Sequence, residues 1–109
     1  MKIHVEVFIA GKILEQRQSR FSPNEIIEFI RNEFGDERSG IRTHVTAACV
    51  ANAPTNHPNC YNYLWRIDHA EYRNFHPGRD SLKPEKKGFR HQPYPIDVPE
   101  KYRYLLRDE

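Results

Sequence analysis

The 109-residue chain predicts an α+β fold: three helices, a β-hairpin, then a C-terminal extension. Three observations carry that prediction. Residues 22–35 hold start signals, an apolar stripe and a stop signal for one helix. Residues 39–54 repeat the pattern with a slimmer, alanine-rich helix that ends before a proline. Two short aromatic-rich runs then flank the turn Asp68-His69-Ala70, as the arms of a hairpin do.

The first element is the least determined. Ile3, Val5, Val7 and Ile9 alternate as in a strand, and their β-branched content suits one. Ile3, Val7, Ala10, Ile13 and Leu14 also form a helical stripe. A helix to about Leu14 is favoured, because the next element needs a long partner to pack on. Gln16 to Arg20 is a polar connection, and Phe21 suits a very short strand.

The second helix is better marked. Ser22 is a good N-cap, Pro23 suits the first helical position, and Glu25 completes a capping box. Ile26, Ile27, Ile30 and Phe34 recur at helical spacing, with Phe29 widening the face. Gly35 is the expected terminal glycine. After Asp36-Glu37-Arg38, Ser39 offers a second N-cap for a third helix over residues 40–51. Ile41, Val45, Ala48 and Cys49 share its inner side, while Arg42, Thr43, Thr46 and Val50 fall on the other. Asn52-Ala53-Pro54 ends it, since a residue before proline is pushed out of helical geometry. Strands over residues 63–67 and 71–75 follow. The predicted core is Ile26, Ile27, Ile30, Phe34, Ile41, Val45, Cys49, Leu64 and Ile67.

Seven of the eight prolines lie after position 50, which divides the chain into a compact domain, residues 1–78, and an extension, residues 79–109. Residues 79–92 are the segment expected to be least ordered. Residues 100–107 suit a final helical turn, with Tyr102, Leu105 and Leu106 docking on the body. Residues 1–76 carry nine Lys/Arg and nine Asp/Glu, whereas residues 77–109 carry eight against six. A basic extension on a neutral body fits phosphate attraction, and it equally fits a solvated tail.

Several function classes are disfavoured. No run approaches the roughly 18 apolar residues needed to cross a bilayer, and the N-terminal stretch lacks a signal-peptide pattern. The expectation is a soluble cytoplasmic protein with no membrane partner. Cys49 and Cys60 are too few for a disulfide scaffold. With His57 they give Cys-x7-His-x2-Cys, three ligands at irregular spacing where zinc wants four, so no metal and no cofactor are expected. Cys49 reads as a small buried hydrophobe. No phosphate loop, nucleophile elbow or carboxylate–lysine nuclease pattern occurs, and no enzyme is expected.

The helix, helix, helix, hairpin order is the layout of a winged helix-turn-helix. Ser39-Gly40-Ile41-Arg42-Thr43-His44-Val45, Ala48-Cys49, Asn52-Ala53-Pro54, Leu64-Trp65-Arg66-Ile67 and Tyr72-Arg73 together resemble a small group of uncharacterised prokaryotic winged-helix domains. The resemblance covers roughly residues 1–76. It implies a DNA-binding module; some members accompany restriction or mobile-element genes. The chain departs from that pattern at the hairpin tip. Comparable wings turn on glycine, whereas Asp68-His69-Ala70-Glu71 stands here, with Asp68 available for a left-handed conformation.

The function expected on these grounds is binding of double-stranded DNA without catalysis. The third helix would enter the major groove, with Arg42 reaching guanine edges and Ser39, Thr43 and Thr46 touching bases or phosphates. Arg38 at the helix entrance and Arg66 and Arg73 on the hairpin would reach the backbone. Lys83, Lys86 and Lys87 would be auxiliary phosphate binders. So few contacts give weak, salt-sensitive affinity, so a homodimer or a larger protein partner is expected. The alternative is a non-catalytic protein–protein adaptor, favoured by the neutral body and by six tyrosines, all after residue 60.

Overall fold

A computed structural model describes residues 1–107. The architecture is mixed α+β, with helices packed together with a two-stranded antiparallel hairpin. Helix α1 spans Ile3–Arg17. Val5, Val7, Phe8, Ile9 and Ala10 are all buried, so the helix is covered on most of its circumference. That resolves the ambiguity of its sequence: a helix enclosed all round has no polar stripe, and alternating valines and isoleucines then imitate a strand.

Helix α2 spans Pro23–Phe34 and has the predicted signals at both ends. Ser22 Oγ accepts from the Glu25 amide at 3.1 Å, and the Ser22 amide donates to Glu25 Oε1 at 2.9 Å. Gly35 closes the helix at φ 64°, where a side chain would be strained. Ile26 and Ile30 are fully buried, while Ile27 and Phe34 pack at the margin of the core.

The third helix differs from its prediction. Helix α3 covers Gly40–Thr43 and continues as a wider π-helical turn, His44–Ala48, closed by the Cys49 amide on His44 O at 2.9 Å. Ser39 has helical backbone angles and makes no side-chain cap; the preceding turn is closed by Asp36 Oδ1, which accepts from the Arg38 amide. The Thr46 hydroxyl donates to Arg42 O at 2.8 Å, a bond that competes with regular helix winding. Residues 49–51 leave the helix because they pair elsewhere: Leu64 N donates to Cys49 O, and Ala51 N donates to Leu64 O at 2.7 Å. Val50, predicted to face outward, is therefore wholly buried beside Leu64.

Strands β1, Leu64–Arg66, and β2, Tyr72–Asn74, pair with Leu64 opposite Asn74 and Arg66 opposite Tyr72. The edge beyond β2 is taken by Phe21, which exchanges backbone hydrogen bonds with Tyr72 at 3.0 and 2.7 Å. The edge beyond β1 is taken by Val50. At the tip, Asp68 Oδ1 accepts from the amides of Ala70 and Glu71, and no non-glycine residue described has positive φ. Asp68 thus replaces the missing glycine through its carboxylate, without a left-handed backbone. Ile67, predicted in the core, is 38% exposed at this tip.

Residues 79–107 wrap the body and belong to the same packed unit. Asn62 Nδ2 donates to Lys86 O at 2.8 Å and to Phe89 O at 3.2 Å, and the Asn62 amide donates to Arg90 O. The expectation of an unstructured 79–92 gives way to this anchoring. Farther on, Val98, Tyr102 and Leu105 are buried, and Tyr102 Oη donates to Glu33 at 3.2 Å.

One glycine is indispensable. A Cβ on Gly11 would stand 2.5 Å from Asn74 Oδ1 and 3.2 Å from Leu64 Cδ2. Asn74 is buried and donates to Gly11 O at 3.0 Å, so it has nowhere to retreat. Gly11→Ala should lower stability by about 1–3 kcal/mol despite alanine's better helix propensity, read as the midpoint of urea unfolding.

Candidate nucleic-acid interface

The outward side of α3 and its π-helical continuation is bare. Ser39, Arg42, Thr43 and Thr46 are exposed, directly across from buried Ile41, Val45 and Ala48. Among the described residues, no part of the wrapping extension covers them. Arg42 Nη2 lies 3.3 Å from Asn24 Oδ1 at the start of α2, a light tether that leaves most of the guanidinium's donors for an outside partner.

The hairpin is fixed to this helix at the backbone. Asn52 Nδ2 donates to Arg66 O, and the Arg66 amide donates to Asn52 Oδ1, both at 2.8 Å. The Arg66 side chain is exposed. Helix end and strand β1 are therefore one rigid piece, and Arg66 has a defined position relative to Arg42.

Other candidates are engaged internally. Arg73 is half-buried over the Trp65 ring, 5.4 Å from its centroid, and holds Asp80 through both nitrogens at 2.8 Å. The Asp80 carboxylate sits below the usual range because Arg73 donates to it. Lys86, expected at the surface, is 1% exposed, and its Nζ has no hydrogen-bond partner. Its backbone carbonyl accepts from Asn62 Nδ2 at 2.8 Å. As an auxiliary phosphate binder Lys86 is ruled out by burial; Lys83 and Lys87 are exposed.

Arg38 is the centre of a cluster with no counterpart in the sequence reading. Its Nη2 reaches Met1 O at 2.7 Å, Asp36 Oδ2 at 2.6 Å and Glu6 Oε1 at 3.1 Å. Glu6 is buried within α1, 3% exposed in its side chain. Burial, then the neighbouring Asp36 carboxyl, push the Glu6 pKa up to about 7. Asp36 moves the opposite way, well below the ordinary carboxylate range, chiefly because Arg38 donates to it. Arg38 thus fixes the α2–α3 turn through Nε and Nη2, with its side chain half exposed. The available signal was Glu6 itself, a lone acid inside the apolar run 3–10.

Cys49 and Cys60 are buried thiols, and the Cys60 Sγ points to the backbone oxygen of His57 at 3.5 Å. Among the described residues no group of three or more His, Cys, Asp or Glu side chains is placed to hold a metal ion, and no helix is long and apolar enough to cross a membrane. Comparison with protein-family models, with curated proteins and with solved structures gives no match.

Proposed function

We propose that this chain is a DNA-binding protein on a winged-helix frame, with α3 entering the major groove and the β1–β2 hairpin lying along the adjacent backbone. The single observation that carries the reading is the bare Arg42–Thr43–Thr46 side of α3, tied through Asn52 to the hairpin bearing Arg66. Two features of the fold support it: the helix–helix–helix–hairpin order, and Phe21 pairing with β2 from the α1–α2 connection.

Arg42 offers the bidentate donor pair suited to guanine O6 and N7, and the threonines offer hydroxyl and methyl contacts. Arg66 serves the phosphates, joined from the extension by exposed Lys83 and Lys87. With Arg38, Arg73 and Lys86 occupied internally, one copy neutralises few phosphates. Operation as a homodimer on paired half-sites, or beside a larger partner, follows from that shortage. A transcription regulator, or a module accompanying restriction or mobile-element machinery, is the biological setting the resemblance suggests.

The test is fluorescence anisotropy on a duplex selected from random sequence. Arg42→Ala should lose roughly tenfold to a hundredfold in preference for the selected over a scrambled duplex, with an unchanged unfolding midpoint. Full retention of sequence preference would remove Arg42 from recognition. A second reading, a protein–protein adaptor, is favoured by Ile96 at 86%, Tyr104 at 66% and Tyr94 at 55% exposure in the extension. Absence of any duplex binding at low salt would transfer the case to it.

A further inference from the structure

Among the described residues Lys86 is a buried cation whose Nζ has no hydrogen-bond partner, and it lies beside two buried thiols. The backbone brings the three together. The Tyr61 amide donates to Ala48 O at 2.8 Å, so Cys60 and Cys49, each next to one end of that bond, lie on neighbouring segments. Cys49 O accepts from the Leu64 amide at 2.9 Å, which keeps the two segments in register. Lys86 joins them from the 3-10 turn Pro84–Lys86, whose last carbonyl accepts from Asn62, two residues past Cys60. At this range Cys60 and Lys86 are the ionisable groups that act on Cys49. Both thiols, with the exposed Glu85 carboxylate, act in turn on Lys86.

The two sulfurs differ in access. Cys49 is fully buried at the end of the π-helical turn, and burial pushes its thiol pKa up. Cys60 is 5% exposed and follows residues 54–59, most of which are exposed. Among the described residues no backbone hydrogen bond holds that loop. Its contact with Cys60 is a weak one, the thiol S–H on His57 O at 3.5 Å. Such a segment opens locally at low cost, uncovering Cys60 to a small solute while the core stays shut. A cation beside sulfur stabilises the thiolate, which is the form that attacks peroxides. We propose that Cys60 and Cys49 form a hydroperoxide-sensitive pair: Cys60 is oxidised beneath the loop, Lys86 steadies its thiolate, and Cys49 closes a disulfide. In the first step the Cys60 thiolate attacks a peroxide oxygen, so that an S–O bond forms and the O–O bond breaks. The departing oxygen takes up a proton equivalent to the one the thiol lost, leaving as water from hydrogen peroxide or as an alcohol. In the second step the Cys49 sulfur displaces the Cys60 hydroxyl, forming the S–S bond and releasing water. Two thiols are oxidised and one hydroperoxide is reduced. The bond ties the end of the π-helical turn to the segment entering β1, and neither step depends on the duplex reading.

The test is intact-mass and peptide-mapping analysis of the full chain after a small excess of hydrogen peroxide at neutral pH. The monomer should lose about 2 Da, map to a Cys49–Cys60 bond, and recover its mass with dithiothreitol. Cys49→Ala should stop at the sulfenic acid, trapped by dimedone on Cys60, and Cys60→Ala should leave Cys49 unoxidised. Lys86→Met should slow the mass loss roughly tenfold or more without lowering the unfolding midpoint. That rate is the readout a merely structural lysine would not move. Should either cysteine variant fail to fold, the wild-type map and the Lys86→Met rate still decide. Any one of four results overturns the proposal: no mass loss, bonds only between two copies, a cross-link from Cys60 to Lys86 instead, or equal rates for wild type and Lys86→Met.

Discussion

Lys86→Met should make the protein more stable, by about 1–3 kcal/mol, or several degrees in thermal midpoint. The wild-type ammonium is buried with no hydrogen-bond partner, and the Phe89 ring lies 5.7 Å away. Methionine keeps the length and apolar volume of the stem and removes the desolvated charge. The same burial lowers the Lys86 pKa from its ordinary value. The folded state then binds fewer protons than the unfolded state between the lowered pKa and 10.5. Wild-type stability should accordingly rise with pH through that window, and the methionine variant should lack that rise. Calorimetry of both proteins at neutral and alkaline pH checks the result; a destabilised variant would mean that the ammonium has a partner in solution.

The second large effect belongs to Glu6. Its pKa of about 7 lies above the unfolded value of 4.5, so the folded state holds the extra proton between those limits. Its contribution is fully present below pH 4.5 and is lost as pH rises through 7, with a slope approaching about 1.4 kcal/mol per pH unit. Asp36 has the reverse sign: its depressed pKa gives stability above the unfolded carboxylate range that disappears on acidification. Glu6→Gln should flatten the loss between pH 5 and 8 and be the more stable protein at pH 8, by roughly 1–3 kcal/mol. Arg38→Ala should extend that loss to higher pH, because the guanidinium is what offsets the Glu6 charge. Urea unfolding across pH 4 to 9 distinguishes these outcomes, and parallel curves for wild type and Glu6→Gln would contradict the cluster's role.

What the sequence made legible was local. The Ser22–Glu25 box, the Gly35 stop and the hairpin around Asp68 each depend on residues within a few positions of one another, and all three stand in the structure. The core side of α3 was legible too, since Ile41 and Val45 follow helical spacing. The helix end was not, because Cys49 to Ala51 leave it to pair with Leu64, and no periodicity announces a partner that distant. The same distance hid the fate of the cations. Arg38 is held by Glu6, 32 residues away, and the Lys86 backbone is anchored by Asn62, 24 residues away. A charge pattern treats every lysine and arginine as solvated; only tertiary contacts sort the free from the engaged. Of the candidate contacts, Arg42, Thr43, Thr46, Ser39 and Arg66 keep an open surface, whereas Arg38, Arg73 and Lys86 serve the fold.

The central claim is that the open side of α3 meets duplex DNA, and an amide NMR titration with the selected duplex at 50 and 200 mM salt tests it most directly. The predicted result is shifts concentrated at Ser39, Arg42, Thr43, Thr46 and Arg66, with affinity falling roughly tenfold to a hundredfold over that salt range. Shifts confined to Tyr94, Ile96 and Tyr104, or none at 50 mM salt, would contradict it.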